Sequence, residues 1–277
     1  MMEKILKLNS NRNRLFFCIN SGRSGSKYLA ELLGSAKEVT SYHEANPTMT
    51  GKYLQMINKS SYAETFHKRR IKSKKIKKIL RGLQPEQVYC ETNHMFIKTF
   101  YDVIMNDFKN VEIIILRRNI ALVLKSFIEL NYFSSSNKAW PDWMSSPNAK
   151  TAAIPCIDLY EEMDQYDLCI AYLIDIEARS RRFKQEYSSE KIHEVRLEAL
   201  NEYKNVDKLF HDLRITPTNN TKAIYGQAIN PREKKKIKFN NPTDLEYCKK
   251  RISDYIEKAK SMGISLPDSL ALDHLQD

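Results

Sequence analysis

The sequence predicts an α/β fold: a three-layer sandwich in which helices cover both faces of a central parallel sheet, with additional helices beyond it. Three observations carry this. The runs Phe16-Phe17-Cys18-Ile19 and Val111-Glu112-Ile113-Ile114-Ile115-Leu116 have the length and branched or aromatic character of strands buried on both faces. Such runs alternate with stretches of helical periodicity, the pattern that builds parallel sheets. The turn after the first run, Ser21-Gly22-Arg23-Ser24-Gly25-Ser26-Lys27, is short and rich in Ser and Gly, so strand passes to helix through a P-loop-like loop.

In chain order, a strand is expected near 14–20 and a helix near 26–36, its apolar face set by Tyr28, Leu29, Leu32 and Leu33. A short strand near 38–42, helices across 48–83, a strand at 87–92 and a helix at 95–108 follow. The strand 111–117 ends in Arg117-Arg118, and Asn119 opens a helix reaching residue 131. The segment 133–148 is polar, punctuated by proline and contains both tryptophans, Trp140 and Trp143, as binding loops and lids of that length often are. A long helix from Asp158 to about Tyr187, a strand Lys191–Arg196 and an amphipathic helix from Leu245 to Met262, stopped by Gly263, complete the order.

The chain of 277 residues carries a net charge of +11, so a polyanionic partner must be weighed. Much of the excess lies between His67 and Arg81. Ile76, Ile79, Leu80 and Leu83 repeat there at helical spacing, which turns one stripe inward and leaves the lysines as a solvated face. A surface for an acidic acceptor or a membrane is the alternative reading. No helix-turn-helix, RNP or zinc-finger pattern accompanies the charge, so nucleic acid is not expected. No stretch has the length of a transmembrane helix, and the amino terminus lacks a sustained apolar signal region. Cys18, Cys90, Cys156, Cys169 and Cys248 form neither a metal-binding pattern nor a disulfide framework, which suits a reducing cytoplasm.

The first loop reads as an anion cradle. Gly22 and Gly25 let successive N–H groups turn inward, the helix amino end adds partial positive charge, and Arg23 and Lys27 add full charges. It is not a Walker A loop, because Ser26 follows Gly25 and Tyr28 follows Lys27 where lysine and a Mg²⁺-binding hydroxyl would stand. Arg118, at the carboxyl end of a strand, and Ser126, about two turns into the next helix, provide a second place for a phosphate.

With these residues the chain resembles the sulfotransferases that use 3′-phosphoadenosine-5′-phosphosulfate (PAPS). Residues Gly22 to Lys27 are similar to their 5′-phosphosulfate loop, and Arg118 with Ser126 eight residues later resembles their 3′-phosphate motif. Tyr42-His43-Glu44 looks like their acidic segment after the first helix. Tyr89 to Phe96 resembles the strand end of glycan sulfotransferases, and Val195 to Leu200 resembles a later arginine-containing motif. Departures are the Ser21-Gly22 pair in place of proline, Lys27 in place of a common threonine, and Thr92-Asn93-His94 in place of a lysine- and proline-containing sequence.

The resemblance implies one sulfotransferase domain over residues 1–277, with a cofactor-binding core at 14–131, an acceptor loop at 133–150 and a nucleotide-closing loop at 222–240. It implies PAPS as donor, the bisphosphate PAP as product and no metal. Arg23 and Lys27 would face the 5′-phosphate and bridging oxygen, with Ser24, Gly25, Ser26 and Tyr28 as backbone or hydroxyl donors. Arg118 and Ser126 would hold the 3′-phosphate, joined by Arg232 or a following lysine. Glu44 stands where tyrosylprotein and heparan sulfotransferases carry a catalytic glutamate. His94 stands in the region where phenol and steroid sulfotransferases carry a catalytic histidine, and His43 is a further possible base. The acceptor would be a hydroxyl of a small molecule, glycan or specialised metabolite. The absence of a membrane segment points to a cytoplasmic, bacterial relative. A divergent P-loop kinase and a non-catalytic polyanion- or nucleotide-binding module are the other classes; a kinase would need a carboxylate where Arg117 and Arg118 stand.

Overall fold

The structure, a computed structural model, describes residues 13–227 and 243–270. The elements are β1 (Leu15–Ile19), α1 (Ser26–Gly34), β2 (Val39–His43), α2 (Lys52–Lys59), α3 (Tyr62–Arg69), α4 (Ile71–Leu80), β3 (Val88–Thr92), α5 (Tyr101–Asp107), β4 (Val111–Arg117), α6 (Ile120–Glu129), α7 (Gln165–Glu186), β5 (Lys191–Arg196), α8 (Tyr203–Asp212), α9 (Asn219–Ile224) and α10 (Leu245–Ser261). They fall into two compact units. Within the described residues one comprises 13–49, 66–117 and 189–227, and the other 50–65, 118–188 and 243–270.

The first unit holds the expected parallel sheet, in the order β2-β3-β1-β4-β5. Phe17 of β1 is flanked by Glu91 of β3 and Ile113 of β4, so the first strand is central. After β1 the chain moves to one side of the sheet to form β2 and β3, then to the other for β4 and β5. The loop after β1 therefore lies at the switch point, where open α/β sheets bind ligands.

Strand alternation assigns the two faces. Phe16 and Cys18 join Leu29, Leu32 and Leu33 of α1 and Val206, Leu209 and Phe210 of α8 in one core. Phe17 points the other way, stacked on Phe96 at 5.0 Å with Phe100 edge-on at 6.4 Å. Cys18 and Cys90 are buried strand residues, and all five cysteines are unpaired thiols.

The helices expected across 48–83 are three, α2, α3 and α4, with extended Ser60 ending the first. Two expectations need correction in this unit. The helix expected at 95–108 begins as a π-turn, Phe96–Phe100, before α5 takes over. The basic run is not simply a solvated face, for Arg69 and Lys72 are completely buried. Arg69 forks onto Asp102 at 2.5 and 2.7 Å, and Lys72 reaches Glu91 at 2.6 Å. Arg70, Ser73 and Lys77 share Asp107. Lys68, Lys74, Lys75, Lys78 and Arg81 do face solvent.

In the second unit α6 packs against α7 and α10. The long helix starts at Gln165 rather than near 158, because Asp164 caps it by accepting from the Asp167 N–H at 2.9 Å. Buried Arg179 pairs with Asp175 one turn away at 2.6 Å and donates to the Tyr62 hydroxyl. The tryptophan-bearing segment is fastened to α2 by Gly51 N–H on the Asp142 carbonyl (2.7 Å), Gln55 on the Pro141 carbonyl (3.1 Å) and Lys150 N–H on the Asn58 carbonyl (2.9 Å).

Candidate functional site

At the carboxyl edge of the sheet, the loop leaving β1 folds through the left-handed region three times, with φ of 81° at Gly22, 55° at Arg23 and 87° at Gly25. Runs of this kind turn successive N–H groups into an anion-binding concavity. Gly25 is the N-cap of α1, so no N-cap side chain bonds the N–H groups of the helix's first turn. A Cβ on Gly25 would come within 2.5 Å of the Leu197 side chain. Glycine is therefore required both by backbone sign and by close packing.

Buried Asn20, absent from the sequence-based site, braces the loop from below: its Oδ1 accepts from Gly22 N–H at 3.0 Å and from the Ser24 hydroxyl at 3.4 Å. Ser24 thus directs its hydroxyl to Asn20. Tyr28, expected among the donors, accepts from the Gly226 N–H at 3.4 Å, at the described start of the 222–240 segment. Lys27 lies half-exposed on α1 with its ammonium 3.8 Å from Glu31. The helix amino end without a side-chain cap, with the cations Arg23 and Lys27 in the same stretch, is a donor set that suits a phosphate-like group.

The three possible bases converge. Glu44 Oε1 lies 3.5 Å from His94 Nε2 and 3.8 Å from His43 Nε2. The His94 ring abuts the cradle, since a Cβ on Gly22 would sit 3.4 Å from its Nδ1. Thr92, the last residue of β3, ties the parts together. Its hydroxyl donates to the Ser26 carbonyl at 2.8 Å, and its carbonyl accepts from Glu44 N–H at 3.2 Å and lies 3.0 Å from His43 Nδ1. Glu44 itself is held at φ 53°, a cost of about 1–3 kcal/mol of the kind found at working sites.

Beneath Glu44 lies a buried polar network that the sequence did not reveal. Lys72 Nζ donates to Glu91 and to the carbonyls of Ala45 (2.7 Å) and Pro47 (3.0 Å), one and three residues after Glu44. Glu91 also accepts from the Tyr89 hydroxyl and the Asn93 amide, and that amide reaches the Thr48 carbonyl at 3.3 Å. Burial lowers the Lys72 pKa from its ordinary value, opposed by Glu91.

His94 has a second neighbour, Lys98, whose Nζ lies 2.9 Å from Nδ1. Burial first, then the charge of Lys98 and the proximity of His43, hold the imidazole well below its ordinary pKa. Lys98 was missed by sequence reasoning. Its signal was a single cation inside the apolar run Met95-Phe96-Ile97-Lys98-Thr99-Phe100.

Arg118 follows the carboxyl end of β4, and Asn119 caps α6 by accepting from the Ala121 and Leu122 N–H groups at 3.0 and 3.3 Å. Ser126 is buried on α6. Arg232 lies outside the described residues. Among the described residues no group of three His, Cys, Asp or Glu side chains is placed to hold a metal ion, and no helix is long and apolar enough to cross a membrane.

Neither a protein-family model nor a curated protein matches the chain. Solved structures do. The sulfotransferase domain of the Synechococcus olefin synthase superposes with a TM-score of 0.50 at 15% identity, covering 93% of this chain and 97% of that one. A sulfotransferase from Mycobacterium avium gives 0.51 at 12% identity, covering 92% and 79%. At these identities the likeness is one of architecture: the chain has the sulfotransferase fold.

Proposed function

We propose that the protein transfers a sulfuryl group from PAPS to an acceptor hydroxyl. The observation that carries this reading is the meeting of Glu44, His94 and the bare, left-handed loop at the switch point of a sulfotransferase-type sheet. When bound, PAPS supplies a sulfur whose bond to the 5′-phosphate oxygen breaks as the acceptor oxygen bonds to it, leaving PAP.

The chain's own residues position and stabilise. The loop N–H groups, Arg23 and Lys27 neutralise the charge that grows on the departing phosphate. Arg118 and Ser126 take the 3′-phosphate. Glu44 receives the acceptor's proton: its side chain is 37% exposed, whereas that of His94 is 11% exposed and held neutral. An imidazole with so low a pKa is a weak base at neutral pH.

A labelled-sulfate transfer screen against phenols, sugars, lipids and metabolite alcohols tests the proposal, with Arg23→Ala as the blank. Transfer to one class, lost in the variant, supports it. Transfer undiminished in Arg23→Ala overturns the loop assignment. Mg-ATP-dependent phosphorylation of the same acceptors would favour a kinase instead.

A further inference from the structure

The π-turn that follows β3 places Lys98 where an ordinary helical turn would give a different direction, and wide turns of this kind are frequent at functional positions. Lys98 is fully buried, and its ammonium lies 2.9 Å from His94 Nδ1. A lysine ammonium has only donors to offer. Nδ1 must then be the accepting nitrogen, which puts the proton of the neutral ring on Nε2. That nitrogen faces Glu44 Oε1 at 3.5 Å.

We infer that Lys98 is a positioning residue that locks His94 as the Nε2–H tautomer, so that the ring donates toward Glu44 instead of competing with it for a proton. The ring has no free acceptor nitrogen in this arrangement. Glu44 then faces an N–H across 3.5 Å instead of a competing acceptor, while the charge of Lys98 opposes protonation of the ring. Around the imidazole lie Lys98 on the π-turn, Glu44 and His43 at the end of β2, and Gly22 of the cradle. Of these, the charge of Lys98 acts after burial, and before His43, in holding the ring neutral. The consequence for turnover rests on Glu44 being the base proposed above; the tautomer does not.

Two measurements on the full chain separate these layers. Long-range proton–nitrogen NMR of ¹⁵N-histidine protein is expected to show His94 as neutral Nε2–H at neutral pH and still neutral at its ordinary midpoint of about 6.5. In Lys98→Met, the His94 midpoint is expected to rise measurably while burial still holds it below its ordinary value, and in Lys98→Arg the Nε2–H form should persist. An Nδ1–H tautomer in the native protein, or a His94 titration unchanged in folded Lys98→Met, overturns the inference. If Lys98→Met does not fold, the native tautomer alone decides.

The second measurement is the pH profile of kcat/KM. In Lys98→Met the acid limb should move up in pH together with the His94 midpoint, with about tenfold loss per pH unit below it, because an imidazolium beside Glu44 weakens the base. A merely structural loss would lower the rate by the same factor at every pH, and that result counts against the lock. A protein that shows the tautomer but transfers no sulfate would sink the proposed activity and leave the lock standing.

Discussion

Both ends of the sheet carry a charged cluster, and the contrast between them separates a clamp from a site. At the amino edge, Glu112 of β4 is enclosed by Arg14 (2.9 Å), Arg214 (2.8 Å), His193 (3.4 Å) and Lys191 (4.0 Å). Although burial pushes its pKa up, hydrogen bonds from His193 and Arg14 and the charges of Arg14 and Arg214 outweigh it and bring the carboxyl down to about 2. Arg14 also binds the Leu213 and Arg214 carbonyls, so this cluster seals the ends of strands against the turn after α8. At the carboxyl edge the groups do the reverse. Glu44 and His43 remain partly exposed, His94 is kept neutral, and the loop at positive φ leaves helix N–H groups bare of side-chain caps. One end is internally satisfied; the other is arranged to accept something.

The comparison is open to breaking at three points. The largest effect is expected at Glu44. Glu44→Gln should lower kcat by about 10²–10⁴, the range for general bases, while calorimetric affinity for PAP stays within about twofold and the melting temperature is unchanged. Full turnover in this variant would reduce the carboxyl edge to a second clamp. Next comes the support beneath it. Lys72→Met leaves Glu91 buried without its cation, and breaking such a pair costs about 3–5 kcal/mol, read as a lowered urea midpoint. A loss under about 1 kcal/mol would show that the network does not hold the Glu44 segment.

The third test is pH-dependent and belongs to the amino edge. The Glu112 carboxyl is lowered from an ordinary 4.5 to about 2 in the folded chain, so its stabilisation is fully present above pH 4.5 and is lost as pH falls toward 2. The shift corresponds to about 3 kcal/mol. Glu112→Gln should therefore destabilise by about that amount at pH 7, with the gap closing steadily between pH 4.5 and 2 in denaturant titrations. A gap independent of pH would mean that the carboxylate's charge is not what the surrounding cations use.

What the sequence disclosed and what it concealed follow from the range of the interactions. The central strands and the loop after β1 were legible because they are local: branched runs fix β1 and β4, and two glycines three residues apart set the loop. Burial of Arg69 and Lys72 was not, since their carboxylates on Asp102 and Glu91 are 33 and 19 residues away, and a run of cations looks the same whether or not partners fold back onto it. The proximity of Glu44, His43 and His94 also emerges only in three dimensions, where β2 and β3 pair in parallel and bring His43 opposite Thr92. Lys98 was hidden by the π-turn, because its placement depends on a turn wider than the helical spacing assumed for 95–108. Asp164 shows the smaller error: a cap residue inside an acidic stretch, Glu161-Glu162-Met163-Asp164, was passed over and the long helix begun too early.

The most direct test of the central claim is isothermal titration of the chain with PAP in the presence of a chelator, beside a titration with Mg-ATP. The account predicts metal-independent binding of one PAP per chain, weakened about tenfold or more by Arg23→Ala and by Arg118→Ala separately, as loss of a charge-assisted phosphate contact implies. Binding of Mg-ATP in preference to PAP, or PAP affinity indifferent to either arginine, would contradict it.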